Sequence, residues 1–221
     1  MGVIPAFPAT VLTAIGAVGT VGFAVVFLVD GWTRTGYRWL RHPVSALALG
    51  DRGWVQTTNF AVSGAMIAAG GVGALGVSVL LGGSITLLGL ALIASGIFPM
   101  DAMRGYPPGT TDTTPTTFTR RHLWHDRAGA VVFLLLPVLP AIAAVTADFG
   151  WAVRTYSALT SVLAVVLVHR FTTAWESDAP RTGLWQRAAL ILVLSWLAAV
   201  CVAVGRNLVC ASKTTGLQRT E

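Results

Sequence analysis

The sequence predicts an all-α membrane protein, a bundle of six transmembrane helices with an interfacial segment between helices 1 and 2. Three observations carry that prediction. Of 221 residues, 54% are hydrophobic and 11% charged, with a mean hydropathy of +0.71, whereas soluble domains carry about 25% charged residues. Forty-eight residues between Arg52 and Asp101 pass without a charge, enough for two spans, since one needs about 20. Lys and Arg concentrate on alternate connections, eleven against four, the asymmetry that orients membrane proteins.

Taken in order, helix 1 covers residues 10–29. No Lys or Arg precedes it, so it reads as a retained span rather than a secretory signal. Residues 30–59 mix arginines with Trp32, Tyr37, Trp39 and Trp54, the composition of a membrane interface, and should lie along its surface. Helix 2 covers 55–81 and helix 3 covers 84–99, joined by a turn at Gly82, Gly83 and Ser84. Gly64, Ala68 and Gly71 give helix 2 the small residues that let helices approach closely.

Helix 4 starts at an N-cap of Thr117 or Thr119 and runs to residue 147, with Pro137 and Pro140 inside it. It is longer than the hydrocarbon core requires, so its first turns, bearing His122, His125 and Asp126, should project from the bundle. Helix 5 covers 151–169 and helix 6 covers 186–209. Residues 1–210 form one domain and residues 211–221 a polar tail. Cys201 and Cys210 lie about 13 Å apart along a continuous helix, too far for a disulfide, and read as packing residues.

Six spans put both termini on one side. Loops 1, 3 and 5 hold eleven of the fifteen basic residues, which makes those loops cytoplasmic and both termini external in a cell membrane. The basic residues sit at helix ends rather than on one stripe, which argues against nucleic acid as a partner. No hydrolase elbow, phosphate loop or dinucleotide fingerprint is present, so serine-hydrolase and nucleotide-driven chemistry lack support. The partners expected are the bilayer and a small apolar molecule drawn from it.

The odd-loop side also holds eleven of the thirteen Asp, Glu and His residues and six of the eight tryptophans. Longer loops and interfacial aromatic belts account for part of that. The sharpest feature is Asp101, placed directly after an uncharged helix. Desolvation there would raise its pKa toward a value useful for holding a proton. The structural alternative is a cap on the turn formed by Gly105, Tyr106, Pro107, Pro108 and Gly109.

His122, His125 and Asp126 stand at i, i+3 and i+4, so His122 shares a helical face with both others, and that face is placed to bond Asp101. As a metal site the pattern is weak, lacking a Glu of zinc-protease type or a nearby Cys, and no metal or cofactor is expected. Glu176, with Asp178, would supply a second carboxylate or belong to a solvated loop. Gln56 and Asn59 would orient a substrate or bond neighbouring helices.

The runs from His42 through Phe60, from Gly96 through Asp101, from Gly105 through Gly109, and from His125 through Gly129 together resemble the actinobacterial membrane family catalogued as domain of unknown function 998. The likeness covers nearly the whole chain and implies a six-helix membrane bundle without implying a particular activity. The run Arg120, Arg121, His122, Leu123, Trp124 departs from the family's plainer pattern. In size and helix count the chain is also similar, more loosely, to small integral-membrane terpene cyclases, which protonate an alkene or epoxide with a membrane-embedded acid.

These features point to an intramembrane acid–base enzyme acting on an apolar isoprenoid or lipid-like substrate, a protonation-initiated terpene cyclase being one form of it. Asp101 would be the acid, bonded by His122 or His125. Asp126 would orient that histidine, and Glu176 would take the final proton. His42, Trp54, Gln56, Asn59, Tyr106, Trp124 and Trp175 would line the pocket, where aromatic faces stabilise a carbocation by about 0.5 to 2 kcal/mol each. The reading from another class is a non-catalytic lipid-binding, transport-accessory or assembly subunit. Ionisable residues at mid-membrane and matching broken helices, which mark transporters, are missing from the sequence.

Overall fold

A computed structural model describes residues 5–217, and the side chains of residues 5–209. Six long helices account for most of it: α1 (Ala6–Thr33), α2 (Gly53–Ala74), α3 (Val79–Ile97), α4 (Arg120–Val145), α5 (Trp151–Glu176) and α6 (Thr182–Leu217), with a 3-10 turn at Val44–Ala48. Among the described residues there is no β-strand. Five of the helices, all except α2, are long and apolar enough to cross a membrane. α2 falls short because Thr57, Thr58, Asn59 and its many glycines dilute an otherwise uncharged 22-residue helix.

Each helix packs on its neighbours in sequence, and α6 closes the ring against α1. Phe23, Phe27, Ile67, Leu88, Leu136, Leu139, Trp196 and Leu197 fill the interior, and the indole N–H of Trp196 donates to Ser157 Oγ across α5 and α6 at 2.9 Å. The outward faces are apolar too, with Phe7, Leu80, Leu90, Leu134, Leu159 and Val162 exposed. In water such a surface would aggregate; in hydrocarbon it is what a span must present, its backbone groups being satisfied within the helices.

Several boundaries differ from the sequence expectation for physical reasons. The turn between α2 and α3 falls at residues 75–78, where Ser78 caps α3 by accepting from the Leu81 N–H. Gly82 and Gly83 are helical instead. A Cβ on Gly82 would lie 2.7 Å from the Gly71 carbonyl oxygen, so this glycine serves close approach to α2 and not chain reversal. α5 continues past residue 169 to Glu176, and α6 begins at Thr182 and runs on to Leu217, which takes up the first residues of the expected tail. Residues 218–221 of that tail lie outside the described residues, as does the Cys210 side chain; Cys201 is buried in the core.

The first interhelical segment covers one end of the bundle, with Trp32 and Trp39 exposed. Asp30 belongs to the last turn of α1, and the chain after it folds down over the end of the bundle, burying Tyr37, His42 and Leu47. The rings of Tyr37, His42 and Tyr106 pack tilted or edge-on to one another with centroids 5.3 to 5.5 Å apart. Ion pairs tie the three odd loops together: Arg41 reaches Asp112 at 2.7 Å and Asp178 at 3.2 Å, and Arg104 reaches Asp178 at 3.3 Å.

His42 is the keystone of this end. Its Nδ1 accepts from the Arg38 N–H at 3.0 Å and its Nε2–H donates to the Arg104 carbonyl at 3.2 Å, so the neutral ring is required. Burial pushes its pKa down to about 4; the Arg104 hydrogen bond and Asp112 oppose the shift, while Arg38 and Arg41 add to it. Because the folded pKa lies below the ordinary 6.5, the unfolded chain takes the proton more readily. Stability is therefore lost as pH falls from about 6.5 toward about 4, by about 2 to 3 kcal/mol. Thermal melting of detergent-solubilised protein should show a steeper acid loss for the wild type than for His42→Asn, whose carbonyl still accepts from Arg38 but does not titrate.

Candidate functional site

Pro99 creates the site's first element. Having no N–H, it leaves the Ser95 carbonyl at the end of α3 without its helical donor, and the Phe98 carbonyl lies beyond the last turn. His125 of α4 supplies the missing donor: its Nδ1 lies 3.2 Å from Ser95 O and 2.8 Å from Phe98 O. Carbonyls only accept, so Nδ1 carries the hydrogen and Nε2 keeps its lone pair. That nitrogen makes no hydrogen bond among the described residues.

His125 stands on the wall shared by two adjoining spaces. One, of about 240 Å³, is lined by Ser45, Met100, His122, Asp126, Phe171, Trp175 and Gln186 among others. The second, of about 40 Å³, continues inward past Gly129 toward Phe23, Phe60 and Leu92. Together they form a cleft between α4, α5, α6 and the first loop, apolar in depth with imidazole, carboxylate and amide at its mouth.

Thr119 caps α4, its Oγ accepting from the His122 N–H at 3.3 Å. Both oxygens of Asp101 are occupied by that same residue: Thr119 N–H donates to Oδ2 at 2.8 Å and Thr119 Oγ–H to Oδ1 at 2.6 Å. Burial acts to raise the Asp101 pKa, but the two Thr119 hydrogen bonds outweigh it, His122 assists, and the carboxyl is held below its usual range. This reverses the expected shift. Asp101 also clasps the start of α4 rather than capping the turn at residues 105–109, and it is not among the residues lining the cleft.

The backbone N–H of Asp101 donates to His122 Nδ1 at 2.8 Å, which leaves the His122 Nε2–H facing Asp126 Oδ2 at 3.3 Å. Phe118 stacks on the His122 ring at 4.3 Å. His122 and His125 are thus buried against α3 and the third loop instead of projecting from the bundle. Both ring nitrogens of His122 have protein partners, and the described residues hold no group of three metal-ligating side chains.

The structure brings His122, His125, Asp126 and Trp175 to one cleft and leaves the other expected residues outside it. Trp54 is 68% exposed and Trp124 is 51% exposed on outer surfaces. Trp124 lies under Arg127 at 4.6 Å. Glu176 is exposed at the end of α5. Tyr106 and His42 belong to the loop core. Asn59 bonds the Phe23 carbonyl of α1 at 3.1 Å and the Gln56 side chain at 3.2 Å, which is the helix-bonding alternative.

Sequence reasoning missed Gln186, which is buried, accepts from the Val44 N–H at 2.6 Å and lines both spaces. It also missed Ser45, whose hydroxyl meets Met100 Sδ at 3.3 Å. A polar residue at the head of an apolar helix was the available signal for the first; Ser45 had none.

A ring of apolar-faced helices with a histidine-walled cleft at its polar end defines a multi-pass helical membrane protein. The chain belongs to the family described as protein of unknown function (DUF998), whose family model matches residues 17–203. No curated protein and no solved structure matches it.

Proposed function

We propose that all six helices cross the cell membrane, α2 included, with loops 1, 3 and 5 in the cytoplasm and both termini outside. We further propose that the cleft takes one end of an apolar isoprenoid or lipid-like molecule and performs acid–base chemistry on it. The observation that carries this is His125: its tautomer is fixed by two carbonyls, and an unbonded Nε2 stands at the wall of the cleft. At about 240 Å³ the cleft is below the usual range for a whole drug-sized ligand, so it suits one end of a long molecule whose tail stays in the bilayer. His125 Nε2 is the proton acceptor or, once charged, the donor. The His122–Asp126 pair supplies the second acid–base group, Trp175 the aromatic wall, and Asp101 acts as a positioning residue for His122.

A different observation favours a non-catalytic, lipid-binding role. With Asp101 taken up by Thr119 and Glu176 in solvent, Asp126 is the one carboxylate among the residues named at the cleft, and it is paired. One experiment separates the readings. Geranylgeraniol serves as probe, with binding read from tryptophan fluorescence and conversion from extracts of membranes containing the protein. His125→Asn keeps an N–H for the Ser95 and Phe98 carbonyls and removes Nε2. It is expected to bind the probe and to lower conversion by about 10² to 10⁴-fold. Wild-type conversion in that variant rejects His125 as the acid–base group. Binding without conversion by the wild type supports the lipid-binding role.

A further inference from the structure

A second site lies on the other side of α6. Between the end of α1 and the start of α6 runs a groove of about 700 Å³, apolar along Leu28, Leu184, Ala188 and Ile191, with Trp32 and Trp39 at its rim. Arg187 lines the same groove while being 4% exposed. Its Nη1 donates to the carbonyls of Trp39, His42 and Gly183 at 2.6, 3.0 and 2.9 Å, and its Nη2 donates to the Tyr37 hydroxyl.

None of those partners carries a negative charge. No carboxylate lies within ion-pairing distance of Arg187 among the described residues, in contrast to Arg34, Arg38, Arg41, Arg52 and Arg104, all of which have one. Tyr37 does not compensate it, because burial pushes that phenol up to about 12 despite the opposing guanidinium. Of the five guanidinium hydrogens, Nε–H and one on Nη2 have no acceptor among the described residues. A buried, uncompensated cation is costly, and here it is set in a groove that otherwise suits an acyl chain.

We propose that this groove binds an anionic membrane phospholipid, its phosphate on the Nε–Nη2 side of Arg187 and its acyl chain along α1 and α6. A phosphate oxygen supplies both the missing charge and the missing acceptors, and guanidinium matches that group in shape as well as sign. Trp32, 89% exposed, and Trp39 are the ring-bearing residues expected at headgroup depth. The choline headgroup of a neutral phospholipid retains a phosphate but cancels its charge, which makes the net charge of the lipid the discriminating variable. This site shares no residue with the His125 cleft and does not depend on the function proposed for it.

The test uses the full chain in a neutral detergent, titrated separately with phosphatidylglycerol, phosphatidylcholine and inorganic phosphate. Native mass spectrometry and the thermal midpoint are the two readouts. Phosphatidylglycerol should be retained at least about tenfold more tightly than phosphatidylcholine and should raise the midpoint, as one charge-assisted contact implies. Arg187→Gln should abolish that preference. Because Arg187 also holds loop carbonyls, Ile191→Trp provides the second variant: it fills the groove from a partly exposed position and should weaken phosphatidylglycerol while leaving Arg187 in place. Equal retention of the two lipids overturns the proposal, as does unaltered phosphatidylglycerol binding in Ile191→Trp. Protection by inorganic phosphate equal to that by phosphatidylglycerol also overturns it, marking a free-anion site instead.

Discussion

Asp30→Asn is expected to destabilise the protein by about 3 to 5 kcal/mol, the cost of leaving a buried cation without its partner. Asp30 is 3% exposed in the last turn of α1. It pairs with Arg34 one turn on, and its other oxygen takes Arg52 at 2.8 Å. Arg34, 8% exposed, also donates to the Leu49 carbonyl at 3.1 Å and the Arg52 carbonyl at 2.8 Å, so it is fixed in place and does not turn outward when the carboxylate is neutralised. Arg52 is half exposed and does. The asymmetry gives a control: Asp30→Leu combined with Arg34→Met removes both buried charges and should recover much of the loss, Arg52 turning to solvent. Thermal or denaturant melting in detergent reads both. A cost under about 1 kcal/mol for the single variant would mean that water screens the pair as it does at a surface.

Asp30 also shows where sequence reasoning stopped. A charge at the end of an apolar run looks like a span meeting solvent, and the arginines and aromatics that follow look like an interface. The i, i+4 spacing of Asp30 and Arg34 is a local signal for that pair, but nothing local says that Arg52 will reach the same carboxylate, because that contact depends on how the first loop folds back on the end of α1. The same limit applies to Asp101. Its neighbours in sequence predict desolvation, whereas its behaviour is set by Thr119, eighteen residues away in the chain and adjacent in space.

What was legible obeyed local rules. The uncharged runs and Pro99 marked the helices, and the i, i+3, i+4 spacing of His122, His125 and Asp126 brought three residues to one cleft. That Trp54 and Trp124 face outward was not legible, because a tryptophan near a membrane surface satisfies outward and inward positions equally well. Gln186 escaped notice because its partner, the Val44 N–H, comes from the far end of the sequence. The glycines misled in a more instructive way, since Gly82 and Gly83 together have the composition of a turn, whereas both are helical and Gly82 has the geometry of a seam.

That seam bears the second large effect. A Cβ on Gly89 of α3 would lie 2.4 Å from the Gly64 carbonyl oxygen and 2.5 Å from the Ala68 nitrogen, both backbone atoms of α2. Neither can yield without moving its helix, so Gly89→Leu should cost at least about 4 kcal/mol or prevent assembly. Gly83→Leu, one and a half turns earlier on a face with nothing within 4 Å, should be neutral or stabilising, since leucine is the better helix former and that face is exposed. The yield of folded protein in membranes and its thermal midpoint distinguish the two, and a wild-type midpoint for Gly89→Leu would deny the seam any role in setting the bundle. The milder Gly89→Ala links seam to site. α3 ends in the Ser95 and Phe98 carbonyls that fix the ring of His125, so displacing the helix should perturb the His125 ring signals in NMR before the protein unfolds. A change confined to stability, with those signals unmoved, would separate the packing of α2 on α3 from the orientation of His125.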